Sequence, residues 1–206
     1  MSINDTPTRR TRMLLLTAAV GTTALLLTGC TATDAGPAPS ASQTASSEAA
    51  DFNMADEMFT VMMIPHHEQA IEMSDVLLAK EDVDPAVADL AQRIKDAQGP
   101  EIELMKGWLA ARGTSMPSED MGDMGHGGMD DGMMSHDDMT ALEDADGATA
   151  SRLFLEQMIE HHDGAIEMAQ SVLKNGKSPD VRTLAEEIIA TQQSEITEMR
   201  QLLGQG

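Results

Sequence analysis

Tyrosine is absent from this chain, and three phenylalanines with one tryptophan supply all of its aromatic bulk. A core therefore has to be filled by aliphatic side chains and by methionine, of which there are 18. Cysteine is nearly absent too. Cys30 is the only one, which excludes an intrachain disulfide and any site built from several thiolates. Basic residues are scarce: 13 Lys and Arg stand against 35 Asp and Glu, a formal net charge of −22. No nucleic-acid partner is expected, because phosphates call for a basic surface, whereas cations are attracted. Long apolar runs are also missing. The longest covers residues 13–27, fewer than the roughly 20 residues that a helix needs to span a bilayer.

That short run follows Arg9, Arg10 and Arg12 and ends at Leu27-Thr28-Gly29-Cys30. A basic start, a short apolar middle and a small-residue exit describe an export signal over residues 1–30. Leu-Thr-Gly-Cys looks like the lipobox of bacterial lipoproteins, in which the chain is cut before the cysteine and its thiol carries diacylglycerol. Cys30 is thus the expected lipidation site, and a lipid membrane the expected partner through it. Thr8-Arg9-Arg10 bears a weaker similarity to a twin-arginine signal. Residues 31–50 are mostly Ala, Ser, Thr, Pro and Gly; they offer little apolar surface to offset ordering entropy and read as a flexible tether.

Residues 51–206 are patterned as helices. The first is expected over about 51–80, with Phe52, Met58, Phe59, Met62, Met63, Ile71 and Leu77 on its apolar side and a kink or break at Pro65. Asp84 and Pro85 open the second as N-cap and first helical residue, and Gly113 closes it. A third spans about 149–174 and ends at Asn175-Gly176; Ser178-Pro179 then repeats the cap-and-proline opening for a fourth. Sustained period-two alternation occurs nowhere, so strands are not expected.

The four segments form two copies of one unit. Phe59, Met63, His66, His67, Ala70, Ile71 and Met73 recur 95 residues later as Phe154, Met158, His161, His162, Ala165, Ile166 and Met168. At a shift of 94, Gln98, Glu101, Ile102 and Met105 recur as Gln192, Glu195, Ile196 and Met199. Two amphipathic hairpins, about 51–113 and 149–203, bury their apolar faces most economically against each other, which gives an all-α fold: a duplicated helical hairpin forming a four-helix bundle. Between them lies an insert, 114–147, whose methionines, histidines, acids and glycines show neither helical periodicity nor bulk for a core.

Residues three, seven and ten apart share a helical stripe, so Met63, His66, Ala70 and Met73 line up, as do Met158, His161, Ala165 and Met168. Glu101 and Met105, and likewise Glu195 and Met199, stand on the partner helices to complete a pocket of imidazole, thioether and carboxylate. His67 and His162 lie about 100° around the helix, so one member of each pair is expected inside and the other in a groove or solvent. Methionine at helical spacing also serves as plain core filling. As a donor set, thioether and imidazole favour copper, and Cu(I) in particular, with silver as a substitute. The insert offers the same donors in Met121, Met124, His126, Met129, Met133, Met134, His136 and Met139, fitting an accessory metal site. Di-iron chemistry needs Glu three residues before a histidine; here those residues are Met63, Ile64, Met158 and Ile159. No zinc-peptidase, phosphate-loop or nucleophile-elbow motif is present, no catalytic residue emerges, and a non-enzymatic role is expected.

The two His-His-x-x-Ala-Ile-x-Met blocks, each followed by a Gln-x-x-Glu-Ile-x-x-Met helix, resemble the bacterial domain-of-unknown-function family numbered 305, over about residues 51–206. The resemblance implies a ferritin-like helical fold, secretion or lipid anchoring, and, for some members, periplasmic copper binding and resistance. It carries the paired histidines onto His66, His67, His161 and His162, with Met63, Met73, Met158 and Met168 beside them and Glu101, Met105, Glu195 and Met199 downstream. Pro65 departs from the second copy, which has Glu160 there. Together these features lead to an expected membrane-anchored, extracytoplasmic copper protein that sequesters the ion or passes it to other copper-handling envelope proteins. The alternative is an envelope interaction or stress-response module with structural histidines.

Overall fold

The computed structural model describes residues 51–114 and 132–204. The signal, Cys30 and the tether lie outside those residues, as do Met121, Met124, His126 and Met129. Five helices follow one another: α1 Met54–Leu78, α2 Pro85–Arg112, α3 His136–Asp144, α4 Gly147–Asn175 and α5 Pro179–Leu203. The described residues contain no strand, and no helix among them is long and apolar enough to cross a membrane.

Their ends follow from side-chain chemistry. Asn53 caps α1 through the amides of Ala55 and Asp56, while Asp56 returns a bond to the Asn53 amide. Asp84 and Ser178 cap α2 and α5, each followed by proline at the first helical position. Gly113 ends α2 at φ 70°, a left-handed conformation that favours glycine.

The expected kink or break at Pro65 is not a break: α1 runs through it as one helix, as α2 runs through Pro100. Each proline lacks an N–H, which leaves the carbonyl four residues earlier (Val61 and Asp96) without its helical partner. Both prolines are exposed, so water can take over that bond.

α1 packs on α2, and α4 on α5; α1 and α4 form the seam between the hairpins, while α2 and α5 touch little. The two helices of the seam run antiparallel, since Asn53 Nδ2 at the start of α1 donates to the carbonyl of Asn175 at the end of α4. Two apolar clusters fill the interior. One gathers Leu77, Leu90, Ile94, Phe154 and Met158; the other gathers Phe59, Met63, Met105, Leu109 and Ile188. Full burial of each such side chain stabilises the fold by about 1.5–3 kcal/mol.

Polar clasps fasten the ends of the seam. The buried carboxylate of Asp56 accepts the amides of Lys177 (3.0 Å) and Ser178 (3.2 Å) in the α4–α5 loop. At the matching position of the second copy, Ser151 Oγ accepts the amide of Asp84 in the α1–α2 loop (3.0 Å). A Cβ on Gly147 would collide with the carbonyl of Glu81, so the same loop requires glycine there.

The insert departs from expectation at its C-terminal end. Residues 136–144 form α3, opened by a capping box of Ser135 and Asp138. Met134, Met139 and Leu142 join the first apolar cluster. A single short helix needs only one buried row, here Met139 and Leu142 three residues apart, and so little periodicity escapes notice in a sequence rich in glycine and acid.

Candidate metal centre

Pro65 and Glu160 bring the chain, in α1 and α4 respectively, to the paired histidines at mid-helix. The 100° step between neighbours turns His66 toward α4 and His67 toward α2. Both directions point inward in a four-helix bundle. His66, His67, His161 and His162 are accordingly all 0–1% exposed, which corrects the expectation that one of each pair faces a groove or solvent.

The four rings take two different roles. His66 and His161 meet across the seam with ring centroids 3.7 Å apart and planes tilted by 38°. His67 Nε2 bonds Glu101 Oε2 at 2.8 Å, and His162 Nε2 bonds Glu195 Oε2 at 2.7 Å. Those carboxylates reach the interior from the surface, with side chains 21% and 12% exposed. Each hairpin therefore holds one histidine on its own glutamate and offers the other to its partner hairpin.

Burial favours neutral imidazole. Desolvation holds His161 well below the ordinary histidine range, reinforced by repulsion from His66, His162 and His67; the His66 backbone approaching the ring opposes this without reversing it. Several buried polar atoms make no hydrogen bond: both ring nitrogens of His161, Nδ1 of His67 and of His162, both amide atoms of Gln98, and Oε1 of Gln192. Such atoms are costly to bury unpaired. A neutral ring, as at His161, is also the form in which imidazole binds a metal.

The thioethers that share these helical stripes are buried unequally. Met63, Met73, Met105, Met158 and Met199 are fully buried, whereas Met168 is half-buried. Among the described residues, no three His, Cys, Asp or Glu side chains converge as a metal-binding group. The arrangement is thus unlike the carboxylate-rich sites of hard cations. Stacked imidazoles, with buried thioethers on the same helical stripes, bring soft donor types into this part of the core.

Of the accessory residues that are described, Met134 (8% exposed) and Met139 (9%) are committed to the core, while His136 and Met133 are exposed. Gln69 fixes residue 134 from both sides, accepting its amide at 2.7 Å and donating to its carbonyl at 2.9 Å. Two partners escaped the sequence reading: His66 with His161, and Asp56 with the α4–α5 loop. The repeat shift of 95 pairs His66 with His161 as copies, but nothing in one sequence makes copies touch.

Fold and centre together define a ferritin-like, all-α bundle with paired histidines buried at the seam of a duplication. The chain belongs to the family described as Domain of unknown function (DUF305), whose pattern matches residues 56–203. Solved structures agree. A family member from Streptomyces coelicolor, described as secreted, is 34% identical with a TM-score of 0.66, covering 73% of this chain and 93% of its own. A fragment from Deinococcus radiodurans is 28% identical with a TM-score of 0.65, covering 75% and 99%. CopM in its Cu(I)-bound form is 32% identical with a TM-score of 0.60, covering 73% and 96%; it has also been solved with Cu(II) and with silver. No curated protein matches the chain.

Proposed function

We propose that this protein binds copper as Cu(I) outside the cytoplasm, held at the membrane through lipid on Cys30, and sequesters the ion or hands it to other envelope proteins. The observation that carries the reading is the His66–His161 contact across the seam, 3.7 Å between ring centroids, in an interior that keeps His161 neutral. Met63, Met73, Met158, Met105 and Met199 supply the thioethers around it. His67 and His162 orient the site through Glu101 and Glu195, as outer partners do for metal-binding histidines. Silver, equally soft, substitutes. The copper-bound forms of CopM support the assignment of cargo, and the secreted relative supports the location. His136 and Met133, with Met121, Met124, His126 and Met129, are the accessory donors; Met134 and Met139 serve packing.

Anaerobic titration of the full chain with Cu(I), against a competing chelator, tests this. Replacing His66 and His161 together by leucine is expected to lower affinity by at least 100-fold. Unchanged affinity would sink the buried site, and unchanged affinity after further deletion of 115–131 would sink copper binding by the insert as well. The second reading, an envelope interaction or stress-response module with structural histidines, draws on the satisfied His67–Glu101 and His162–Glu195 bonds. It gains if the histidine variants lose stability and no metal. For the anchor, mass spectrometry of membrane-extracted protein should find diacylglycerol on an N-terminal Cys30.

A further inference from the structure

Among the described residues, the groove along the outside of the α1–α4 seam is treated differently in its two halves. In one half the insert fills it. Gln69 of α1 binds the backbone of Met134, and Gln157 of α4 donates to the carbonyl of Asp138, seating Met139 and Leu142 over the seam. The repeat relates the other half to this one. Met58 and Met62 stand where the second copy has Leu153 and Gln157, and Met168 stands where the first has Met73.

Their burial differs accordingly. Gln157 and Met73 lie beneath the insert side and are buried, with Leu153 half-buried. Met58 is 55% exposed, and Met62 and Met168 are half-buried. The antiparallel seam also sets their heights. At about 1.5 Å per residue, Met62 and Met58 lie roughly 6 and 12 Å from His66 along α1, and Met168 roughly 10 Å from His161 in the same direction along α4. Met168 thus falls level with the interval between the other two. Met62 is seven residues before Gln69, two helical turns, and so shares the face over which the insert passes. Met168 is seven after His161, the ring that faces α1.

We propose that Met58, Met62 and Met168 form a second, surface thioether site in the open half of the groove, selective for a soft monovalent cation such as Cu(I) or Ag(I). Thioethers carry no proton at any accessible pH, so this site binds without the deprotonation that an imidazole requires below its pKa. Soft donors on an acidic surface discriminate by ligand type: the surface charge concentrates cations generally, and only soft ones are retained by sulfur. The site rests on the proposed soft-metal chemistry but uses none of the buried histidines.

Silver(I), added as the nitrate, is the probe, because it mimics Cu(I) without redox chemistry. The full chain is labelled at the methionine methyl carbons, with signals assigned by single Met→Leu substitutions that keep side-chain volume nearly constant. The Met58, Met62 and Met168 methyls should shift within the first equivalents, and the triple Met→Leu variant should lose one equivalent while remaining folded, with any change in apo melting temperature confined to the Met168 substitution, whose side chain packs on the second cluster. Stationary methyls at these three positions, with shifts elsewhere, would overturn the site. Imidazole signals of His66 and His161 are read in the same titration. If the three methyls respond and the rings do not, the buried copper site fails and this one stands; the reverse result overturns this site alone.

Discussion

Hairpin α1–α2 carries a proline inside each helix, Pro65 and Pro100, whereas the matching positions of α4–α5 are Glu160 and Ser194. Both prolines sit one residue before the site residues His66 and Glu101, on exposed positions. The histidine–glutamate pairs of the two hairpins nevertheless match: His67 and His162 bond to glutamates at 2.8 and 2.7 Å. The proline exchanges thus fall on outer faces, where water repairs a lost helical bond, while buried positions away from the histidines also differ, as Asp56 and Ser151 or Thr60 and Leu155 do. The insert adds a second asymmetry, because α3 covers the seam beside α4's first half and, among the described residues, no helix of the insert covers the related half.

Breaking α3 from the core is expected to have the largest effect. Leu142 is fully buried, and Leu142→Ala should cost about 3 kcal/mol in urea denaturation; a loss under 1 kcal/mol would mean that the insert helix is not part of the cooperative fold. The two clasps come next. Asp56→Ala leaves three backbone amides without their acceptor, for an expected loss of about 3 kcal/mol, against about 1 kcal/mol for Ser151→Ala, which frees one. Equal losses would erase the difference between the seam's ends. Pro65→Ala should sharpen the comparison in the opposite sense. Restoring the N–H to Val61 is expected to stabilise α1 by about 2 kcal/mol, while Glu160→Ala in α4 should stay within about 0.5 kcal/mol.

A further effect is the pH dependence. His161 is held neutral in the folded state, so below an unfolded histidine pKa of about 6.5 the unfolded chain binds the extra proton. Its contribution therefore falls as pH drops below that value, by up to about 1.4 kcal/mol per pH unit, and is constant above it. Urea midpoints at pH 7.5 and 5.5 for the protein and for His161→Gln measure this; the same slope in both would remove His161 as its source.

Much of the architecture was legible because it rests on local chemistry. Asp84-Pro85 and Ser178-Pro179 announced helix starts, Gly113 a stop, and the recurrence at 95 and 94 residues the duplication. The centre was legible only as composition. Helical spacing gave the angle between His66 and His67, but whether 100° of rotation leads to solvent depends on how many neighbours a helix has. α1 has one on each side, in α2 and α4, and so both rings are buried. α3 was missed for a related reason: nine residues with a narrow apolar row carry too little pattern to stand out.

The Asp56 clasp bears on the order of events in folding. It joins residues 121 and 122 positions apart, and the His66–His161 contact spans the repeat itself. Closing loops of that length carries a large entropic cost before any contact compensates it. The first hairpin is made first, yet the apolar row of α1 meets α4 only after the insert has been synthesised. Until then the leading half has no partner for that row, and the chain completes its fold as a late, cooperative step once the α4–α5 loop is available to receive Asp56.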